Sequence, residues 1–166
     1  MDLYLVRHAI AEPRDAAHSE DDARRPLTSE GVQRFRAAAR GLRALGVQVD
    51  AVLASPYTRA WDTAEILNTE AKWPAPVRWS ELEPEVEPAV CLSSLGPRTE
   101  SVLALVGHEP QLSRLASLLV SGSPDAAALE LKKGGVVCIG ASNGPAAGTG
   151  VLRWSASPKL LRRLGR

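Results

Sequence analysis

Residues 102–119 read VLALVGHEPQLSRLASLL. Val102 to Val106 is an unbroken apolar run, the pattern of a strand buried on both faces. Gly107-His108 ends it, and Pro110 suits the first turn of a helix. Leu112, Leu115, Ala116 and Leu119 then recur at spacings of three and four, so one helix face is apolar. This stretch is a strand that turns directly into a helix, the building unit of a parallel α/β sheet.

The same unit recurs on either side. Leu3, Tyr4, Leu5 and Val6 form a short apolar strand that stops at Arg7 and His8. Thr28 suits a helix N-cap and Glu30 the first turn, with Val32, Phe35, Ala39 and Leu42 on one face and Gly46 as the stop. Residues 49–54 read as a second strand. SPYTRAWDTAEIL (55–67) follows, with Ser55 as cap, Pro56 in the first turn and a helix ending near Asn68. Residues 77–79 suit a short strand, residues 89–95 a short helix, and 135–140 and 150–154 two last strands joined by the loop SNGPAAGTG. The expected fold is α/β: a three-layer sandwich with a mainly parallel central sheet flanked by helices, its last strand open to an antiparallel, hairpin course.

A length of 166 residues suits a single domain spanning 1–166, long enough to bury a sizeable core. The formal net charge of +1 argues against a nucleic-acid or membrane-surface partner, so charge selectivity must be local. Cys91 and Cys138 lie far apart with no CxxC pattern, which suits buried thiols in a reducing cytoplasm. Three histidines and two scattered cysteines give no reason to expect a metal or other cofactor. No signal peptide or membrane span is visible, so a cytoplasmic location is expected. The segment 9–26 reads as a long charged loop, with His18 a solvated residue within it. The glutamates of 71–90 and the basic tail KLLRRLGR read as solvated segments.

Ligands of parallel sheets bind beyond the carboxyl ends of the strands. Arg7-His8, Ser55 to Arg59 and Gly107-His108 all fall there. Each residue alone is unremarkable for such a position. Together, two guanidinium forks and two imidazoles at helix-opening turns form a local cationic pocket whose natural guest is a phosphoryl group. Neutral imidazole can attack phosphorus, while the other cations stabilise the equatorial oxygens. No Walker-type loop or Mg²⁺-binding carboxylate cluster is apparent, which disfavours an ATP-dependent kinase.

Four motifs in order, VRHA (6–9), RPLTSEG (25–31), SPYTRAWDTA (55–64) and VGHEP (106–110), resemble the histidine phosphatase (phosphoglycerate-mutase-like) superfamily. The short chain, the RPLT segment and Ala9 in place of the commoner glycine make it most similar to SixA-type phosphohistidine phosphatases. The resemblance implies His8 as the nucleophile that becomes phosphohistidine. It implies Arg7 and Arg59 as phosphate-binding arginines, His108 as the second histidine of the pocket, and Arg25 as a residue at its edge. Larger relatives carry a glutamate acid after the third strand. Here Glu81 and Glu83 stand nearest, in the unrelated context WSELEPEVEP. An imidazole leaving group departs without the help an alkoxide needs, so the departure favours a P–N bond. The expected activity is a metal-independent phosphatase acting on protein phosphohistidine, its partner a histidine phosphotransfer type of protein. Alternatives are a phosphatase for a small phosphorylated metabolite and a non-catalytic phosphate-binding or scaffold protein.

Overall fold

The computed structural model describes residues 1–14 and 21–166; His18 lies outside the described residues. Six strands form one sheet: β1 (Asp2–Arg7), β2 (Ala51–Ala54), β3 (Pro76–Arg78), β4 (Val102–Gly107), β5 (Val136–Gly140) and β6 (Val151–Ala156). Their order is β3-β2-β4-β1-β5-β6. β1 and β4 lie together at the centre in parallel register, with Arg7 opposite Gly107. β2 and β3 extend the parallel half. β5 runs against β1, and β6 is antiparallel to β5, so the reversal begins one strand before the last.

Side chains alternate across the strands, as the pleat requires. Val6, Val52, Ala104 and Val106 face one core, shared with Phe35, Leu42, Ala60, Ala64 and Leu161. Leu3, Leu5, Leu53, Leu103 and Leu105 face the other, shared with Cys91, Leu95, Leu112 and Leu115. The first core is roofed by α1 (Ser29–Ala44) and α2 (Thr58–Ile66), and the second by α3 (Pro88–Leu95) and α4 (Gln111–Ser121). Helices therefore cover both faces of a mainly parallel sheet. Both cysteines are buried. No helix among the described residues is long and apolar enough to cross a membrane.

Local chemistry accounts for most element ends. Thr28 Oγ1 accepts the Gly31 N–H at 2.8 Å, which caps α1. Gly122 ends α4 in the left-handed conformation (φ +85°). α2 departs from expectation at both ends. Its N-cap is Tyr57, with no side-chain cap, and beyond Ile66 the chain continues in a wider turn over Leu67–Ala71.

The basic tail is not a solvated end. Residues Pro158–Leu164 form a helix, α5, capped by Ser157, whose Oγ accepts the Leu160 N–H at 3.3 Å. Leu161 is fully buried against α1. Gly41 makes the contact possible, since a Cβ there would sit 2.0 Å from the Leu161 carbonyl oxygen. A short helix with a single buried leucine leaves little periodicity to detect, which is why the charges dominate the sequence pattern.

Candidate active site

The carboxyl end of β1 is pinned on both sides. The His8 N–H donates to the Gly107 carbonyl at 3.0 Å, and the Arg7 N–H donates to that of Gly135 at 3.2 Å. The Gly134 N–H donates to the carbonyls of both Arg7 and His8 at 3.1 Å. Gly134 has φ +77°, a conformation that glycine adopts without strain. The backbone carrying Arg7 and His8 is thus held before any side chain acts.

His8 is oriented by its own neighbour. Its Nδ1 lies 2.7 Å from the Ala9 carbonyl oxygen. A carbonyl only accepts, so Nδ1 carries the proton and Nε2 of the neutral ring carries the lone pair. Ala9 is held in turn: its N–H donates to Thr63 Oγ1 at 3.0 Å, and that hydroxyl donates to the Arg59 carbonyl at 2.7 Å. Thr63 therefore ties the end of β1 to α2.

His108 follows β4 and lies beside His8, with ring centroids 5.3 Å apart. Its Nε2 is 2.9 Å from Ser55 Oγ, and Ser55 Oγ also accepts the Tyr57 N–H at 3.4 Å. When Ser55 donates its proton to His108 Nε2, Nδ1 is left as the N–H donor of that ring. Tyr57 meets the same ring edge-on at 5.3 Å.

Arg59 is 3% exposed. Its Nη1 and Nη2 donate to the Asp22 carbonyl at 2.8 Å and to Asp22 Oδ2 at 2.9 Å. Arg25 Nε reaches Asp22 Oδ1 at 2.9 Å and Arg14 Nε the same oxygen at 3.2 Å. One carboxylate thereby holds three guanidinium groups. Arg25 Nη1 also donates to the Glu12 carbonyl at 2.8 Å. Arg7 Nη1 donates to the Leu131 carbonyl at 2.9 Å. Arg7 Nε, Arg59 Nε and His108 Nδ1 are buried with no hydrogen-bond partner among the described residues. All three belong to side chains lining one cavity of about 530 Å³, which His8 and Arg25 also line. Buried donors without partners are rare, and here they share one space.

Burial lowers the His8 pKa from 6.5 to about 3, reinforced by Arg59, Arg7 and Arg25. Burial likewise takes His108 to about 2, reinforced by His8 and Arg59. Both rings are neutral at physiological pH. Burial would raise the Asp22 pKa, but Arg14, Arg59 and Arg25 hold it well below the usual carboxylate range. The site thus combines a permanently ionised clamp, fixed cations and an imidazole with an available lone pair. That set can attack phosphorus and neutralise its oxygens.

Arg7, His8, Arg25, Arg59 and His108 converge on this cavity. Glu81 and Glu83 are not among its lining residues. The turn Ser80–Leu82 buries Leu82, and Gln111 Nε2 binds the carbonyls of Glu81 and Val86 at 2.7 and 2.9 Å. That fold of the loop brings Glu85 and Glu87 to the rim instead. Ser55 shapes the site as the partner of His108, beyond the helix cap expected of it, and Thr63, Asp22 and Glu109 also shape it, though sequence spacing did not single these three out. The available signals were the serine and second threonine inside SPYTRAWDTA, the aspartate three residues before Arg25, and the glutamate adjoining His108.

The family model for the histidine phosphatase superfamily (branch 1) matches residues 3–84. An uncharacterized protein of Picosynechococcus sp. is 36% identical over 140 residues, covering 82% of this chain and 83% of the relative. The chain belongs to the histidine phosphatase superfamily. Membership supports phosphatase activity. Within the superfamily, the phosphohistidine phosphatase SixA of Escherichia coli K12 is 27% identical over 129 residues, covering 74% of this chain and 76% of SixA. In fold, the chain matches the structure of the protein histidine phosphatase SixA complexed with tungstate. The TM-score is 0.81 at 23% identity, with 96% of this chain and 98% of that one covered. The alpha-ribazole phosphatase of Shigella flexneri also shares the fold, with a TM-score of 0.67 at 17% identity over 95% of this chain and 97% of that one.

Proposed function

We propose that residues 1–166 act as a single histidine-phosphatase domain in the cytoplasm, hydrolysing protein phosphohistidine through a phospho-His8 intermediate. The observation that carries this reading is the 2.7 Å bond from His8 Nδ1 to the Ala9 carbonyl. It sets the tautomer whose Nε2 can attack, in a ring that burial keeps neutral.

In the first step His8 Nε2 forms a bond to phosphorus as the substrate P–N bond breaks. The substrate imidazole departs with its electron pair. Arg7 and Arg59 take the equatorial oxygens, His108 Nδ1–H donates to one of them, and Arg25 stands at the edge. In the second step water attacks phosphorus, the P–Nε2 bond breaks and inorganic phosphate leaves. The positive charge that this chemistry requires is supplied by guanidinium groups, so no metal enters the proposal.

A second reading, hydrolysis of a small phosphate monoester, draws on the glutamates in the cavity lining. The test is turnover of a labelled phosphohistidine protein and of an aryl phosphate, quenched without acid so that phosphohistidine survives. Wild-type protein is expected to label at His8 and to turn over the phosphohistidine protein faster. His8→Ala is expected to do neither. Full turnover by His8→Ala, or phosphate binding with no labelling of wild type, would refute the covalent mechanism.

A further inference from the structure

Lys133 lines the active cavity and also a neighbouring hollow of about 310 Å³. Arg34, Lys159 and Arg162 line that hollow too, beside Ala9, Phe35 and Pro158. Arg34 and Arg162 continue into a further hollow of about 290 Å³, where Arg40 and Arg166 join them. No aspartate or glutamate is among the described residues that line either hollow. Glu30 pairs with Arg34, and Glu70 pairs with Arg40 at 3.1 Å, both from beside the path. In a chain of net charge +1, six cations along one path make a strong local field. The path is built into the catalytic frame. Gly134, whose N–H holds the carbonyls of Arg7 and His8, lines the first hollow. A Cβ there would stand 3.1 Å from Phe35 Cδ2 and 3.6 Å from Pro158 Cβ, so a side chain would crowd the groove.

We propose that this path is the docking track for the substrate protein, and that it takes a segment rich in aspartate and glutamate beside the phosphohistidine. This rests on the phosphohistidine reading. The charge layout gives the guest a direction. Glu85 and Glu87 reach the cavity from the loop after β3, whereas Lys159 and Arg162 belong to α5, which follows β6. β3 and β6 are opposite edges of the sheet. An acidic chain is repelled on the glutamate side and drawn along the cationic side, with its phosphoryl group at His8. An acidic polypeptide suits the track better than a nucleic acid. Phe35 is the one aromatic residue among the described residues lining the two hollows, and at 2% exposure it offers no face for a base to stack on.

The test uses fluorescein-labelled probes: a histidine peptide flanked by glutamates, its serine-flanked counterpart, and a single-stranded DNA oligonucleotide of equal charge. Fluorescence anisotropy measures their binding to wild type, to Lys159→Glu and to Arg34→Glu/Lys159→Glu, all exposed positions that do not line the active cavity. Wild type should bind the glutamate-flanked peptide about tenfold more tightly than the serine-flanked one at low salt. That preference should shrink as salt rises. Lys159→Glu should lose part of it and the double variant all of it, each with an unchanged circular dichroism spectrum. Both peptides, phosphorylated at histidine, then serve as substrates. The ratio of their kcat/KM values should fall from about tenfold in wild type to about one in the double variant. Equal binding of the two peptides by wild type, a preference that survives charge reversal, or tighter binding of the oligonucleotide would overturn the docking track. Charge-dependent binding of the glutamate-flanked peptide, with no phosphate released from either phosphopeptide, would support the track and overturn the phosphohistidine reading.

Discussion

Two neutral imidazoles buried side by side make the protein sensitive to acid. An ordinary histidine titrates near 6.5, whereas His8 and His108 are held down to about 3 and about 2, chiefly by burial. Below pH 6.5 the unfolded chain takes up a proton at each position and the native protein does not. The unfolded state then binds more protons, so stability rises with pH through this window and is lost as pH falls. At pH 5 the difference amounts to about 2 kcal/mol for each ring, or about 4 kcal/mol together. Domains of this kind are stable by about 5–15 kcal/mol in total, so the effect is large. Urea unfolding followed by tryptophan fluorescence, with Trp73 buried as a reporter, measures it at pH 7 and pH 5. The control is the double variant His8→Asn/His108→Asn, whose amides do not titrate. Wild type should lose about 4 kcal/mol more than the variant between the two pH values. Equal losses, to within about 1 kcal/mol, would refute the account of both rings as buried and neutral.

Ser55→Ala removes the partner of His108 Nε2. Steady-state kinetics should show kcat/KM down about tenfold, and melting should show a cost of about 1–3 kcal/mol for the unpaired ring nitrogen. An unchanged kcat/KM would mean that the serine does not set the orientation of His108. Gly41→Ala places a methyl group 2.0 Å from the Leu161 carbonyl and must displace α5. The expected cost is about 1–3 kcal/mol, a fall in Tm of about 2–12 °C, with kcat/KM within about twofold of wild type. A Tm equal to wild type would show that α5 does not pack there.

Much of the architecture can be read from pattern because the apolar runs are strong. Leu3–Val6 and Val102–Val106 are each buried on both faces, and such runs have few other uses. Strand-to-helix order then places Arg7, His8, Arg59 and His108 on one rim, although Arg59 and His108 lie more than fifty residues from the first pair. α5 escapes detection because one buried leucine carries its packing. The glutamates of the loop after β3 escape placement for a related reason. Which of them reaches the rim depends on the turn that buries Leu82 and on the Gln111 side chain, neither of which leaves a periodic trace. Asp22 looks like one more charge in an acidic segment until three arginines from different stretches of the chain close on it. Pairings of this kind are tertiary events, and no local propensity encodes them.

His8 and His108 each follow a central strand, and those strands are hydrogen-bonded neighbours. Adjacent strands stand about 4.8 Å apart, and the two imidazole centroids are 5.3 Å apart. The gap between the attacking ring and the ring that steadies the phosphoryl oxygens is therefore close to the pitch of the sheet itself. Changes in the loops bearing Glu85, Glu87 or Arg25 can alter the shape of the guest. They cannot move one imidazole away from the other without unzipping the ladder between β1 and β4. Substrate range and reaction distance are thus held by separate parts of the molecule, and the first can drift while the second stays constant.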